Sequence, residues 1–272
     1  MLEVYFNSIT ELQEYATNND ISNIIVKFGN LTSDDIINNI DIFKKIQKLD
    51  CSGIPITEIP KELINLQYLD CTVTRIIGVP KELVNLHSLY CSGSQITKIP
   101  KELVNLQQLY CYNTKITEIP KELINLQDLV CPEIQIAEIP KELINLKILY
   151  CSRTQITEIP KELVNIIRLD CSYTQVTEIP KSFVKLQELY CTKTQIKEIP
   201  KELVNLQELH CKNTKITEIP VTLDNLQHIF SDLISLEKHK ENVLRYKNEI
   251  KDIIKRNNNL NDDVNTLICS YI

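Results

Sequence analysis

A period of 20 residues governs this chain. Nine copies run from Ile46 to Asn225 without slippage. Their first positions are Ile46, Leu66, Leu86, Leu106, Leu126, Leu146, Ile166, Leu186 and Leu206, and the shared pattern is L-x-x-L-x-C-x-x-T-x-I-x-x-I-P-x-x-L-x-N. A fixed period of this kind means stacked units, because one short unit cannot bury its own apolar face. In the copy that starts at Leu106, Leu109 and Cys111 are two apart, so a strand sends both to one face and Gln108, Tyr110 and Tyr112 to the other. Ile116, Ile119 and Leu123 fill the rest of the turn, and Pro120, with its fixed φ, starts the return segment. Twenty residues leave too few for a full α-helix outside the sheet. The expected architecture is an α/β solenoid: a right-handed arc with a parallel sheet on its concave face and short 3₁₀ or extended convex segments.

The pattern resembles the leucine-rich-repeat family and covers about two-thirds of the chain. Two positions depart from the family's usual residues: Cys replaces Leu at the sixth and Thr mostly replaces Asn at the ninth. With the Ile, Asn and Lys bias, these departures resemble the leucine-rich-repeat proteins of giant DNA viruses. The resemblance implies a non-enzymatic module that binds a protein partner.

The cysteines follow the repeat. Cys51, Cys71, Cys91, Cys111, Cys131, Cys151, Cys171, Cys191 and Cys211 all occupy the sixth position, and Cys269 stands outside the series. No Cys-x-x-Cys pair occurs and no histidine recurs with them, so no metal site is expected. They read as buried thiols serving as small apolar core residues. No cofactor is expected either, since four glycines make no phosphate loop. None of His87, His210, His228 and His239 has a motif-level catalytic partner.

Net charge is −6, from 30 basic and 36 acidic residues, and no region forms a basic stripe, which argues against nucleic acid. No apolar run is long enough to span a bilayer, so no membrane partner is expected. The start, Met1-Leu2-Glu3-Val4, lacks the basic and apolar regions of a signal peptide. The expectation is an intracellular monomer in the cytoplasm, that of the host for a viral protein, and not secreted.

Solenoid ends expose core and need covering. Residues 1–45 are expected to form an N-terminal cap, with Ile21, Ile24, Val26 and Leu31 at repeat positions 1, 4, 6 and 11 of a degenerate turn. Residues 9–18 read as a helix, and Ser33 before Asp34 and Asp35 reads as another helix start. Residues 226–272 read as a helical C-terminal cap, with Leu236, Val243, Leu244, Ile250, Ile253 and Ile254 at helical spacing. Within it, residues 260–272 are also similar to the start of an F-box. Leu260, Asp263, Val264, Ile268 and Ile272 match its positions, while Asn261 stands where the motif has proline. That resemblance implies recruitment of a cullin-type ubiquitin ligase through a Skp-family adaptor.

Function is expected where the repeats differ, on the outward strand positions. The fifth position reads Asp50, Asp70, Tyr90, Tyr110, Val130, Tyr150, Asp170, Tyr190 and His210. Tyrosine gives large contact area at low entropic cost. The candidate partner-binding residues are Tyr90, Tyr110, Tyr112, Val130, Ile148, Tyr150, Arg168, Asp170, Tyr173 and Tyr190, centred on Tyr110, Val130 and Tyr150. Asp50, Asp70, Glu188 and Glu208 complete a charged rim, and Tyr68 lies near the N-terminal end. Tyrosine's β-propensity alone would also place it here. The Lys-Glu pair after most prolines reads as a solvated surface. The threonine series (Thr74, Thr114, Thr154, Thr174, Thr194, Thr214) is expected to bond the backbone of adjacent turns.

Overall fold

The structure is a computed structural model and describes residues 2–232 and 234–256. One parallel sheet of 12 strands forms its spine, and the strand order is the chain order. The strands are β1 (Glu3–Phe6), β2 (Ile25–Phe28), β3 (Lys48–Asp50), β4 (Tyr68–Asp70), β5 (Ser88–Tyr90), β6 (Gln108–Tyr110), β7 (Asp128–Val130), β8 (Ile148–Tyr150), β9 (Arg168–Asp170), β10 (Glu188–Tyr190), β11 (Glu208–His210) and β12 (His228–Phe230). From β3 to β12 each residue pairs with the one 20 positions on, as Leu89 with Leu109 and Leu109 with Leu129. The sheet thus runs one strand past the last repeat that carries a cysteine.

The repeat's apolar positions are all interior. In the turn from Leu106, the side chains of Leu106, Leu109, Cys111, Ile116 and Leu123 are fully buried, and Ile119 nearly so. The return segment is extended except for two tight turns: Leu123 N–H donates to Pro120 C=O at 3.2 Å, and Leu126 N–H to Leu123 C=O at 3.0 Å. These i→i+3 bonds do not propagate into a helix, because the next strand begins two residues after Leu126 and leaves no residues for one.

Two polar ladders run along the solenoid, and one of them ties successive turns together. The twentieth-position asparagine reaches across to the previous turn: Asn125 Nδ2 donates to Val104 C=O at 2.9 Å, and Asn145 Nδ2 to Ile124 C=O at 2.8 Å. The threonine does not. Thr114 Oγ1 donates to Cys111 C=O at 2.7 Å and Thr154 Oγ1 to Cys151 C=O at 2.6 Å, three residues back in the same turn. The expectation of bonds to adjacent turns is therefore corrected: the hydroxyl closes its own corner, where the strand bends into the loop. At Ile54 and Ile134 a buried apolar side chain fills the same place.

That corner has a fixed backbone demand. The eighth position is left-handed in turn after turn: Gly53 (φ 73), Val73 (φ 55), Gly93 (φ 67), Asn113 (φ 52), Glu133 (φ 61), Arg153 (φ 57), Tyr173 (φ 59), Lys193 (φ 56) and Asn213 (φ 54). Glycine and asparagine accept this region readily, and the others hold it at a cost.

At the N-terminus, α1 (Ile9–Asn18), α2 (Ser33–Asn38) and α3 (Ile40–Phe43) lie between strands. They bury Leu12, Ile36 and Phe43 completely. Phe28 packs between Phe6 and Phe43, at ring-centroid distances of 6.0 and 5.9 Å. The expected register of this region was two residues off. Val26 pairs with Leu49, so it holds the fourth position, and Phe28 holds the sixth. Bulky Phe28 fits there because helices, not another thin turn, cover it. The start of α2 also differs: Thr32, not Ser33, is the N-cap, in a capping box with Asp35. At the other end α4 (Leu236–Arg256) buries His239, whose ring Nε2 lies 2.9 Å from Leu223 C=O. Residues 260–272, with the F-box-like positions, lie outside the described residues.

Candidate interaction surface

The strand register lines up the third- and fifth-position side chains on one face, and two aromatic runs result. Tyr68 and Tyr90 lie 5.4 Å apart and Tyr90 stacks on Tyr110 at 4.7 Å. Further along, Tyr190 stacks on His210 at 4.4 Å and His210 on Phe230 at 4.2 Å. Between the runs come Val130, Tyr150 and Asp170, each half-buried. Ile148 is half-buried beside Arg168, which is exposed and lies 3.0 Å from Glu188. Of the expected centre, Tyr110 ends the first stack, and Val130 and Tyr150 lie between the two stacks. Phe230 was missed because its strand lacks the cysteine, although the 20-residue spacing from His210 points to it.

Tyr112 and Tyr173 stand apart, on the loops after the strands, and are 45% and 40% exposed. Tyr173 is flanked by cations from both neighbouring turns. Arg153 lies 4.2 Å and Lys193 4.9 Å from its ring centroid, within cation–π range.

Electrostatics divide the strand face. Lys27 Nζ lies 2.6 Å from Asp50, and Ser52 donates to Asp50 through its backbone N–H (2.9 Å) and hydroxyl (2.6 Å). Burial pushes the Asp50 carboxyl up, but Lys27 and Ser52 outweigh it and hold it below its ordinary value. Asp70 accepts the Thr72 N–H at 2.9 Å and pairs with no cation among the described residues. Burial dominates there and raises its pKa, and Asp50 beside it adds to the rise. On β6 and β7, Gln108 gathers a polar chain. Ser88 Oγ and Tyr90 OH donate to its carbonyl oxygen at 2.9 and 3.2 Å, and its amide donates to Asp128 at 3.0 Å. On β11, Glu208 Oε1 accepts Tyr190 OH at 2.9 Å and lies 2.6 Å from His210 Nε2, a hydrogen bond that lowers the Glu208 pKa.

The opposite side carries a broad groove of about 1350 Å³ along the return segments, lined by Glu118, Lys121, Glu138, Lys141, Glu158 and Lys161 among others. Its lining holds eight glutamates and five lysines, so it presents a net negative charge spread along the groove. All nine ladder cysteines are buried free thiols. Burial pushes them up, Cys211 to about 11 and the others further. Thiols held protonated are poor nucleophiles and poor metal ligands. No group of three or more metal-ligating side chains occurs among the described residues. No described helix is long and apolar enough to cross a membrane.

A parallel sheet with its strands in chain order and short turns between them defines a class of fold; here nine of the turns also carry a core cysteine. Solved structures share it. The functional domain of InlJ from Listeria monocytogenes, which includes a cysteine ladder, superposes with a TM-score of 0.67 at 22% identity, over 80% of this chain and 59% of that one. The internalin InlF from Listeria monocytogenes gives 0.61 at 21% identity, over 82% and 78%. The Arabidopsis receptor kinase HAESA, in complex with the peptide hormone IDA and the co-receptor SERK1, gives 0.61 at 19% identity, over 89% and 52%. The fold is that of the leucine-rich-repeat proteins. No protein-family profile matches the sequence, and no curated protein does. The chain spans about three-fifths of the InlJ domain and half of the HAESA chain.

Proposed function

We propose that this solenoid is a non-catalytic protein-binding module that holds its partner on the strand face. One observation carries the reading: Tyr68, Tyr90 and Tyr110, and again Tyr190, His210 and Phe230, form two cross-strand aromatic stacks on one face of the sheet. Stacked rings already fixed by their neighbours lose little freedom on binding, and such preorganisation favours affinity. A receptor of this fold, HAESA, is seen in complex with the peptide hormone IDA, which supports a protein- or peptide-binding role here. On this reading the module acts as a monomer inside the cell, with its ladder thiols reduced.

The test is affinity capture with the full chain and with a Tyr90→Ala/Tyr110→Ala double variant. Proteins held by the first and lost by the second, with both chains melting alike, support the strand face. Equal capture by both overturns it. A second reading rests on the spacing of Leu260, Asp263, Val264, Ile268 and Ile272. It makes the chain a substrate adaptor of a cullin-type ubiquitin ligase. Capture of Skp-family and cullin proteins by the full chain, and not by a chain ending at Asn259, supports it; capture by neither overturns it.

A further inference from the structure

Several carboxylates of the strand face hold no cation among the described residues. Outward positions from β2 to β12 carry the carboxylates Asp50, Asp70, Asp128, Asp170, Glu188 and Glu208 against the permanent cations Lys27, Lys48 and Arg168. Lys27 is committed to Asp50 and Arg168 to Glu188. At the C-terminal end Glu208 is satisfied by Tyr190 and His210, while Asp170 accepts the Ser172 N–H and holds no cation among the described residues. At the N-terminal end two carboxylates remain without a cation among the described residues: Asp70, half-buried beside Asp50, and Asp128, which takes only the Gln108 amide.

These two carboxylates bracket the tyrosine stack. Asp70 is the register partner of Tyr90, and Asp128 that of Gln108, whose carbonyl holds the Tyr90 hydroxyl. A planar cation satisfies both features at once. A guanidinium lies flat on a tyrosine face while its edge donates to a carboxylate, and it sheds water more easily than an ammonium. The chain itself uses this chemistry on its other aromatic site, where Arg153 lies over Tyr173. From β3 to β7 there are four strand spacings, about 19 Å, which about six extended residues span.

We propose that the strand face from β3 to β7 docks an extended, arginine-rich segment of a partner protein, with guanidinium groups set against the two ends of the tyrosine stack, at Tyr68 on the strand of Asp70 and at Tyr110 next to the strand of Asp128, and paired with those carboxylates. This deepens the binding role assigned to that face and rests on it. Each arginine that pairs with Asp70 removes the cost of a desolvated, unpaired carboxylate, so the free protein is poised for a cation.

The experiment is fluorescence anisotropy with the full chain and a labelled peptide of alternating arginine and glycine. A citrulline peptide of the same length serves as the uncharged comparison. The arginine peptide should bind, weaken with added salt, and bind at least tenfold more tightly than the citrulline peptide. Asp70→Asn, Asp128→Asn and Tyr90→Ala should each weaken it at least fivefold, and Glu142→Gln, on the far groove, should leave it unchanged. Equal binding of the two peptides overturns the proposal, as does an Asp70→Asn/Asp128→Asn chain that binds undiminished. So does a loss in Glu142→Gln matching that in Asp70→Asn, which would mark diffuse charge attraction. If the peptide fails to bind while partner capture still depends on Tyr90 and Tyr110, this inference falls and the strand-face role stands.

Discussion

Asp50 and Asp70 stand side by side on β3 and β4, yet only Asp50 holds a cation, with Lys27 Nζ 2.6 Å from its carboxylate. The same residue type at the same repeat position therefore acts in opposite directions. Asp50 has its pKa lowered, so its stabilising effect is complete above the unfolded value of about 3.9 and is lost as pH falls through the lowered folded value. Asp70 has its pKa raised, so its contribution is complete below about 3.9 and is lost as pH rises through the raised folded value.

At pH 7, then, Asp50→Asn should destabilise the chain by about 1 kcal/mol, the scale of one partly exposed ion pair with its hydrogen bonds. Asp70→Asn should raise the melting temperature. Both differences should shrink toward zero at pH 3. Thermal melts of the two variants at both pH values decide this, and a shared sign at pH 7 would refute it. Asp70→Asn should gain stability while losing affinity for the arginine peptide, the pattern expected of a residue kept for binding.

The left-handed corner yields a second prediction. Val73 is β-branched and sits at φ 55, where asparagine is far better tolerated. Val73→Asn should stabilise the chain by about 1 kcal/mol, the lower end of the left-handed penalty. At Tyr173 the same change should gain less, because it also removes the ring between Arg153 and Lys193. Urea denaturation of the two variants gives the comparison. No gain in Val73→Asn would mean that the corner relaxes without strain.

Much of this fold was legible because nine copies repeat one solution. Leu109 and Cys111 two apart, Pro120 at the return and Asn125 at the close fix strand, turn and register together. Legibility stopped where the repeat stopped. Val26 and Phe28 took the fourth and sixth positions because helices cover that layer, and tertiary packing of this sort leaves no periodic trace. The threonine's partner was misjudged for a related reason. A hydroxyl three residues from Cys111 C=O can reach it without crossing to the next turn, whereas Asn125 with its longer amide can cross. On the strand face, the fifth-position series set Val130 and Asp170 between the tyrosines, but it could not show that Tyr68, from the third position, packs against Tyr90.

The hydroxyl and amide ladders can be separated by substitution. Thr154→Val keeps the shape but strips the donor from Cys151 C=O, and should cost about 1–2 kcal/mol. Thr154→Ser should recover most of that. Asn145→Ala breaks the bond to Ile124 C=O at an exposed edge where water can replace it, so its cost should stay below that of Thr154→Val. Reversal of that order in urea melts would show that contacts between turns, not the corner, limit stability.

The thiol ladder supplies the last test. Cys111 and its neighbours are buried and pushed far above their ordinary pKa by desolvation, so neither access nor thiolate is present in the folded chain. Reaction of the nine ladder thiols with an aromatic disulfide at pH 8 should wait on unfolding. Cys211, only about 3% exposed but in the last cysteine layer and raised merely to about 11, should react first as the C-terminal turns open. The rest should follow together if the array unfolds as one unit, or in order along the chain if turns peel from the end. Mass spectrometry of partly labelled protein distinguishes these. Labelling of Cys111 before Cys211 would contradict a core whose weakest layer lies at its C-terminal end.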